Sequence, residues 1–126
     1  MKKKLFVISV FLYFLNLINL YAIEPDIFVQ STVNRASEIL SRDTSKEQKM
    51  SDLKIIAKET VDIRGIGFYT LGKVRNNLND EQKKTYAELF ENYFLKSFSS
   101  RLAEYTNPEI DVISKEVLNE NYTIVN

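Results

Sequence analysis

The segment Asp62–Tyr105 reads DIRGIGFYTLGKVRNNLNDEQKKTYAELFENYFLKSFSSRLAEY, and its reading decides the fold. All three glycines of the protein, Gly65, Gly67 and Gly72, fall in its first part. The rest reads as one long helix carrying Tyr86, Phe90, Tyr93, Phe94, Phe98 and Tyr105. That is more aromatic bulk than one core stripe needs in a chain of 126 residues. The excess points to a large partner surface or to an apolar cavity for a ligand. Plain core packing is the alternative, because large aromatics are buried mainly for packing.

Glycine inside a helix costs roughly 1 kcal/mol against alanine. Three within eight residues are tolerated where backbones approach closely or a helix must bend. A phosphate cradle does not fit, because no strand precedes Gly65-Ile66-Gly67 and the spacing of a dinucleotide or P-loop motif is missing. On the long helix, at ~100° per residue, Tyr86, Leu89, Phe90 and Tyr93 cluster in one direction. Phe98, Leu102 and Tyr105 lie about a third of a turn away, and Phe94 bridges the two sets. Arg101 and Glu104 take, in the second half, the face that was apolar in the first. The expectation is a helix whose first half packs on neighbouring helices. Its second half would face a sheet, or a cavity between sheet and helices.

Outward from this segment the chain reads as further helices. Pro25 and Asp26 open the first, with proline near its start and an acid in its first turn. Val29, Val33, Ala36 and Leu40 give it one apolar face. Ser45 with Gln48 fits a capping box for a second helix reaching about Thr60, with Leu53, Ile56 and Ala57 as a thin apolar face and Met50 at its edge. Asp62 caps a third helix through Val74, and Asn79 with Gln82 opens the long fourth. Asn107-Pro108 closes the fourth, since the residue before proline is pushed out of the α region.

Ile110, Val112 and Val117 then suggest a strand. Asn119-Glu120-Asn121 reads as a turn, and Tyr122-Thr123-Ile124-Val125 as a second strand. A lone two-stranded hairpin is marginal in water. The fold class expected is therefore α+β: four helices packed against an antiparallel sheet of which only the first strands are present. Either the sequence is a fragment, or another copy supplies the missing layer.

The N-terminus sets the compartment. Lys2, Lys3 and Lys4 precede an apolar run, Leu5–Leu20, broken only by Ser9, Asn16 and Asn19 and ended at Ala22. This is the layout of a secretory signal peptide over residues 1–22. Leu20-Tyr21-Ala22 is an imperfect cleavage site, so an uncleaved anchor is the alternative, although the run is short of the ~20 apolar residues of a span. Residues 23–126 form a single domain. With no cysteine, neither a disulfide nor cysteine lipidation is possible. Removing residues 1–22 takes away three lysines and no acid, which leaves 14 basic against 17 acidic residues. A slightly acidic domain with scattered cations is a poor nucleic-acid binder. Lys83-Lys84 reads as a solvated helix face.

Without histidine or cysteine, Ser-His and Cys-His nucleophile systems and most transition-metal sites are excluded. The carboxylate pairs Glu59 with Asp62 and Glu88 with Glu91 read as capping or solvated acids, and Lys84 with Glu88 as a surface pair four residues apart. No catalytic residue, metal ligand or cofactor is expected.

Taken in order, Asp62, Tyr69-Thr70-Leu71-Gly72-Lys73, Leu78-Asn79-Asp80-Glu81-Gln82, Phe90 and Tyr105 resemble the MlaC family of periplasmic phospholipid-binding proteins, also called toluene-tolerance auxiliary transport proteins. The pattern resembled is an Asp-capped helix ending in Leu-Gly-Lys or Leu-Gly-Arg, then a Leu-(Ser/Thr/Asn)-x-x-Gln motif opening a long Phe-bearing helix. A tyrosine closes that helix before the first strand. The resemblance covers roughly Pro25 to Val125. Two departures stand out. Val74 and Arg75 occupy the place of an aromatic, and family members continue with further strands and a last helix.

The resemblance implies a carrier of phospholipid between an outer-membrane lipoprotein and porin complex and an inner-membrane ABC transporter complex. Helix face and apolar character make Leu71, Phe94, Phe98, Leu102, Tyr105 and Val112 the candidate lipid-binding residues. Each buried CH₂ of an acyl chain would contribute ~0.8 kcal/mol. Release needs a wall that moves, and the glycine-rich third helix is the candidate. The alternative is a non-catalytic envelope interaction module that uses the aromatic helix face; a hydrolase is a distant third.

Overall fold

A computed structural model describes residues 23–126, so the expected export signal lies outside the described residues. The chain runs α1 (Pro25–Ser41), α2 (Lys46–Thr60), α3 (Ile63–Thr70), a 3-10 turn (Gly72–Asn77), α4 (Asp80–Leu102), β1 (Lys115–Asn119) and β2 (Tyr122–Val125). The class is α+β. Among the described residues the sheet is one antiparallel hairpin.

Local chemistry sets the helix starts. Pro25 occupies the first turn of α1. At the start of α2, Ser45 Oγ accepts from the Gln48 amide at 3.2 Å, but the Gln48 side chain turns to Asp52, so only half of the expected capping box forms. Asp62 Oδ1 accepts from the Gly65 amide at 2.9 Å at the start of α3. The box opening α4 is complete: Asn79 Oδ1 accepts from the Gln82 amide at 2.8 Å, and the Asn79 amide donates to Gln82 Oε1 at 3.0 Å.

The helix ends depart from expectation. α3 stops at Thr70 rather than Val74, because Gly72 takes φ +54° and turns the chain into the 3-10 segment. Nothing lies within 4 Å of a Cβ built there, so Gly72 serves backbone conformation, not packing. α4 stops at Leu102, ahead of Asn107-Pro108. The intervening residues turn, and Asn107 itself sits at φ 50°. Tyr105 is therefore beyond the helix. Ile110 and Val112 precede β1 instead of forming part of it.

α2 packs on both α1 and α4, and α3 packs on α4. One apolar cluster joins Ile39 and Leu40 of α1 to Leu53 and Ile56 of α2, with Ala36, Leu102 and Ala103 against it. A second joins Ala57, Ile63 and Leu95, with Val61, Phe90, Phe94 and Phe98 around it. Ser99 is fully buried on α4, as Ala57 is on α2. Such small residues on two packed helices let their axes come close. α3 comes close to α4 at Gly67, where an added Cβ would stand 2.9 Å from Phe90 Cδ1.

The hairpin lies against α1 through polar clips. Gln30 donates to the Ile110 carbonyl at 3.3 Å and accepts from the Val112 amide at 2.8 Å. Lys115 Nζ reaches Glu24 at 2.8 Å and Asp26 at 2.7 Å. The hydrogen bond from Lys115 holds the Asp26 carboxyl below its ordinary value, and the same bond, with a second to Glu24, holds Lys115 above its own. The pairing runs Lys115 with Val125, Glu116 with Ile124 and Val117 with Thr123, with an irregularity before Asn119 meets Tyr122.

Two outcomes follow. Gly67→Ala should destabilise by about 1–3 kcal/mol through overpacking on Phe90, and Gly72→Ala by about 1–2 kcal/mol through left-handed strain alone; urea unfolding of both measures this. The Asp26 contribution is complete above the ordinary value of 3.8 and vanishes as pH falls through the lower folded value. The Lys115 contribution is complete below 10.5 and vanishes as pH rises through the higher folded value. Lys115→Gln should therefore speed amide exchange in the hairpin at pH 7 while leaving α2 and α4 unchanged.

Candidate functional site

The capping box starts α4 at Asp80, and no glycine or proline interrupts its 23 residues. It is about 35 Å long at 1.5 Å per residue. Tyr86, Phe90, Phe94 and Phe98 recur every fourth residue along it. Their rings stack in succession, with centroids 5.9, 6.3 and 5.7 Å apart and interplanar angles of 27°, 27° and 11°.

A four-residue step overshoots one turn by ~40°, so this row winds around the helix as an inclined ridge. That winding is why a helix wheel separates Tyr86 from Phe98. The expected two faces are one continuous surface. Phe90 meets Gly67 of α3, while Phe94 and Phe98 lie around Ala57, Ile63 and Leu95. Leu102, the next step, reaches the α1–α2 cluster. The second half of α4 therefore packs on helices, not on the hairpin. Leu89 and Tyr93, expected to pack, are 65% and 70% exposed. Leu95 and Ser99, which the aromatic pattern overshadowed, are the buried residues of the helix.

The candidate residues divide. Phe94 and Phe98 stand together, each half-buried with one side of the ridge open. Leu102 is half-buried against the core. Leu71 lies apart, in an apolar groove of about 430 Å³ with Val74, Leu78, Tyr86 and Leu89. Tyr105 is 61% exposed, and Val112 is half-buried where Gln30 clips it to α1. The geometry thus brings Phe94 and Phe98 together and leaves Leu71, Tyr105 and Val112 in separate places.

Two hydroxyls at the edge of the groove are engaged. Thr70 Oγ1 donates to the Gly67 carbonyl at 2.6 Å, so the Tyr86 hydroxyl, 2.8 Å away, is the donor to Thr70. This bond anchors the start of the ridge to the end of α3, a link that sequence reasoning missed. Among the carboxylates, Glu59 pairs with Arg35 at 2.7 Å and Glu91 with Lys58 at 2.9 Å, while Asp62 is a cap. The expected pair between Lys84 and Glu88 is absent among the described residues, where the ion pairs of α4 involve Lys83 with Asp80 and Glu91 with Lys58. No group of three or more acidic residues that could hold a metal ion occurs among them. None of the described helices is long and apolar enough to cross a membrane.

An aromatic ridge that remains half open, on helices joined to a small antiparallel sheet, makes this an α+β domain presenting an apolar surface. The model of the MlaC protein family matches residues 30–126, and the chain belongs to that family. Family members are phospholipid-binding transport proteins of the periplasm. No curated protein and no solved structure matches the chain.

Phe94→Ala should cost roughly 2 kcal/mol, less than the ~3–5 kcal/mol of a fully buried phenylalanine. Tyr93→Ala, one residue away on the exposed side, should stay within about 0.5 kcal/mol of the parent. Thermal unfolding of the pair distinguishes a packed ridge from a diffuse aromatic surface.

Proposed function

We propose that this protein is a periplasmic phospholipid carrier that shuttles lipid between outer-membrane and inner-membrane components of a lipid-asymmetry system. The inner-membrane partner in this reading is an ABC transporter complex, and the outer-membrane partner a lipoprotein and porin complex. Membership of the MlaC family over residues 30–126 supports the substrate class.

The observation that carries the reading in physical terms is the imbalance of apolar surface. Seven hydrophobic residues are buried among the described residues, whereas sixteen large apolar or aromatic ones are exposed. Among them Val74 and Leu89 lie together along the groove between the 3-10 turn and α4, and contiguous apolar surface of that kind marks an interaction site. Acyl chains match it, since they offer only apolar contact and each buried CH₂ contributes ~0.8 kcal/mol. A headgroup left in water requires no charged pocket. In this reading the open side of Phe94 and Phe98 forms one wall, with Leu102 at its end, and Leu71, Tyr105 and Val112 contribute from its margins. Gly72, at the junction of α3 and the 3-10 turn, lets α3 shift when lipid leaves.

The test is organic extraction of the mature protein purified without detergent. Phospholipid at about one molecule per chain is the expected result. A lipid-free extract, together with no uptake from vesicles, would sink the carrier reading. Uptake should also fall in Phe98→Ala and persist in Tyr93→Ala if the ridge is the wall.

A further inference from the structure

The turn between α3 and α4 differs in charge from the rest of the chain. From Ile63 to Lys84 there are five cations (Arg64, Lys73, Arg75, Lys83 and Lys84) and two acids (Asp80 and Glu81). The other described residues hold nine cations and fifteen acids. Within that stretch the turn itself, residues 71–79, carries Lys73 and Arg75 and no acid, in a domain that is acidic as a whole.

Lys73, Val74 and Arg75 are consecutive and exposed on the 3-10 turn. With three residues per turn, neighbours project ~120° apart, so the two cations flank the valine. Val74 is 56% exposed and lines the apolar groove with Leu71, Leu78 and Leu89. Among the described residues Lys73 and Arg75 take part in no ion pair, whereas Lys83 lies 3.9 Å from Asp80. Glu81 is the one acid lining the groove.

Apolar groups at a turn, with cations on either side, match the two layers of a lipid surface. The acyl boundary takes the apolar groups and anionic headgroups take the charge. The Tyr86 ring on the groove adds an amphipathic group of the kind enriched at that boundary. We propose that this turn docks the protein reversibly on an anionic bilayer. Val74, Leu78 and Leu89 enter the headgroup boundary, and Lys73 and Arg75 meet the phosphates. The inference extends the carrier reading but is measured independently of it.

The test is co-sedimentation of the mature protein with vesicles of phosphatidylglycerol and phosphatidylethanolamine, beside vesicles of phosphatidylcholine alone. Binding should favour the anionic vesicles and weaken with salt. At ~1 kcal/mol per cation near the surface, Lys73→Gln with Arg75→Gln should reduce partitioning by about 30-fold. Val74→Asp should reduce it further, and Lys96→Gln, on the exposed surface of α4, should leave it nearly unchanged. All four side chains are exposed, and circular dichroism verifies folding. Sedimentation of the double variant at the parent's level overturns the proposal and leaves the cations to an acidic protein partner. Equal binding of the parent to neutral and anionic vesicles overturns it as well. Docking lost while phospholipid remains extractable supports it, whereas a lipid-free extract bears on the carrier reading alone.

Discussion

The stacked row Tyr86–Phe90–Phe94–Phe98 is the constraint on which the helical part depends. Each ring limits its neighbour, so the row acts as a single inclined ridge. α3 can lie on it only because Gly67 presents no side chain to Phe90. α2 reaches α4 where Ala57 and Ser99, both fully buried, keep the helices close. Leu102 then carries the same row into the cluster formed with α1. α2, α3 and α4 thus share one aromatic rail, which Leu102 extends to α1, and among the described residues the interior is narrow: it is filled from two small clusters, not from one broad core.

That economy explains the outer surface. Among the described residues few apolar side chains are buried, and Tyr93, Leu89 and Val74 of the helical part and Val117, Tyr122 and Ile124 of the hairpin are left to solvent. The aromatic surplus noticed in the sequence is real, but its distribution is different. Part of it forms the ridge, and part lies outside the ridge altogether. In the carrier reading proposed above the uncovered part handles lipid, and in the docking proposal the basic turn beside the groove faces the bilayer.

Signals confined to a few residues were legible in the sequence. The Asn79–Gln82 box, the Asp62 cap, the proline at the start of α1 and the turn at Glu120-Asn121 all depend on neighbours within three or four positions. The continuity of the aromatic row along α4 was not legible. A wheel assumes a straight stripe, whereas a four-residue row winds. The end of α4 was misplaced because proline supplies a late limit, while the chain had already turned at Ala103. Gln30 and Lys115 carried no local signal. Their partners lie 82 and 91 residues away, at Val112 and Glu24. Among the six candidate residues, apolar character located Phe94 and Phe98 together but could not place Leu71, Tyr105 or Val112, whose positions depend on turns and distant clips.

Those distant clips have a consequence for cooperativity. Both apolar clusters draw all their members from residues 36–103, and the hairpin contributes none. With the helices folded, docking the hairpin orders only the segment after Ala103, and at Gln30 and Lys115 hydrogen bonds and solvated ion pairs hold it. The helices and the hairpin are thus two energetic units within one fold. The hairpin can detach while every buried side chain of the helical unit keeps its neighbours. Such a partly open form keeps the aromatic rail, so the fold can rearrange at its sheet without melting at its helices.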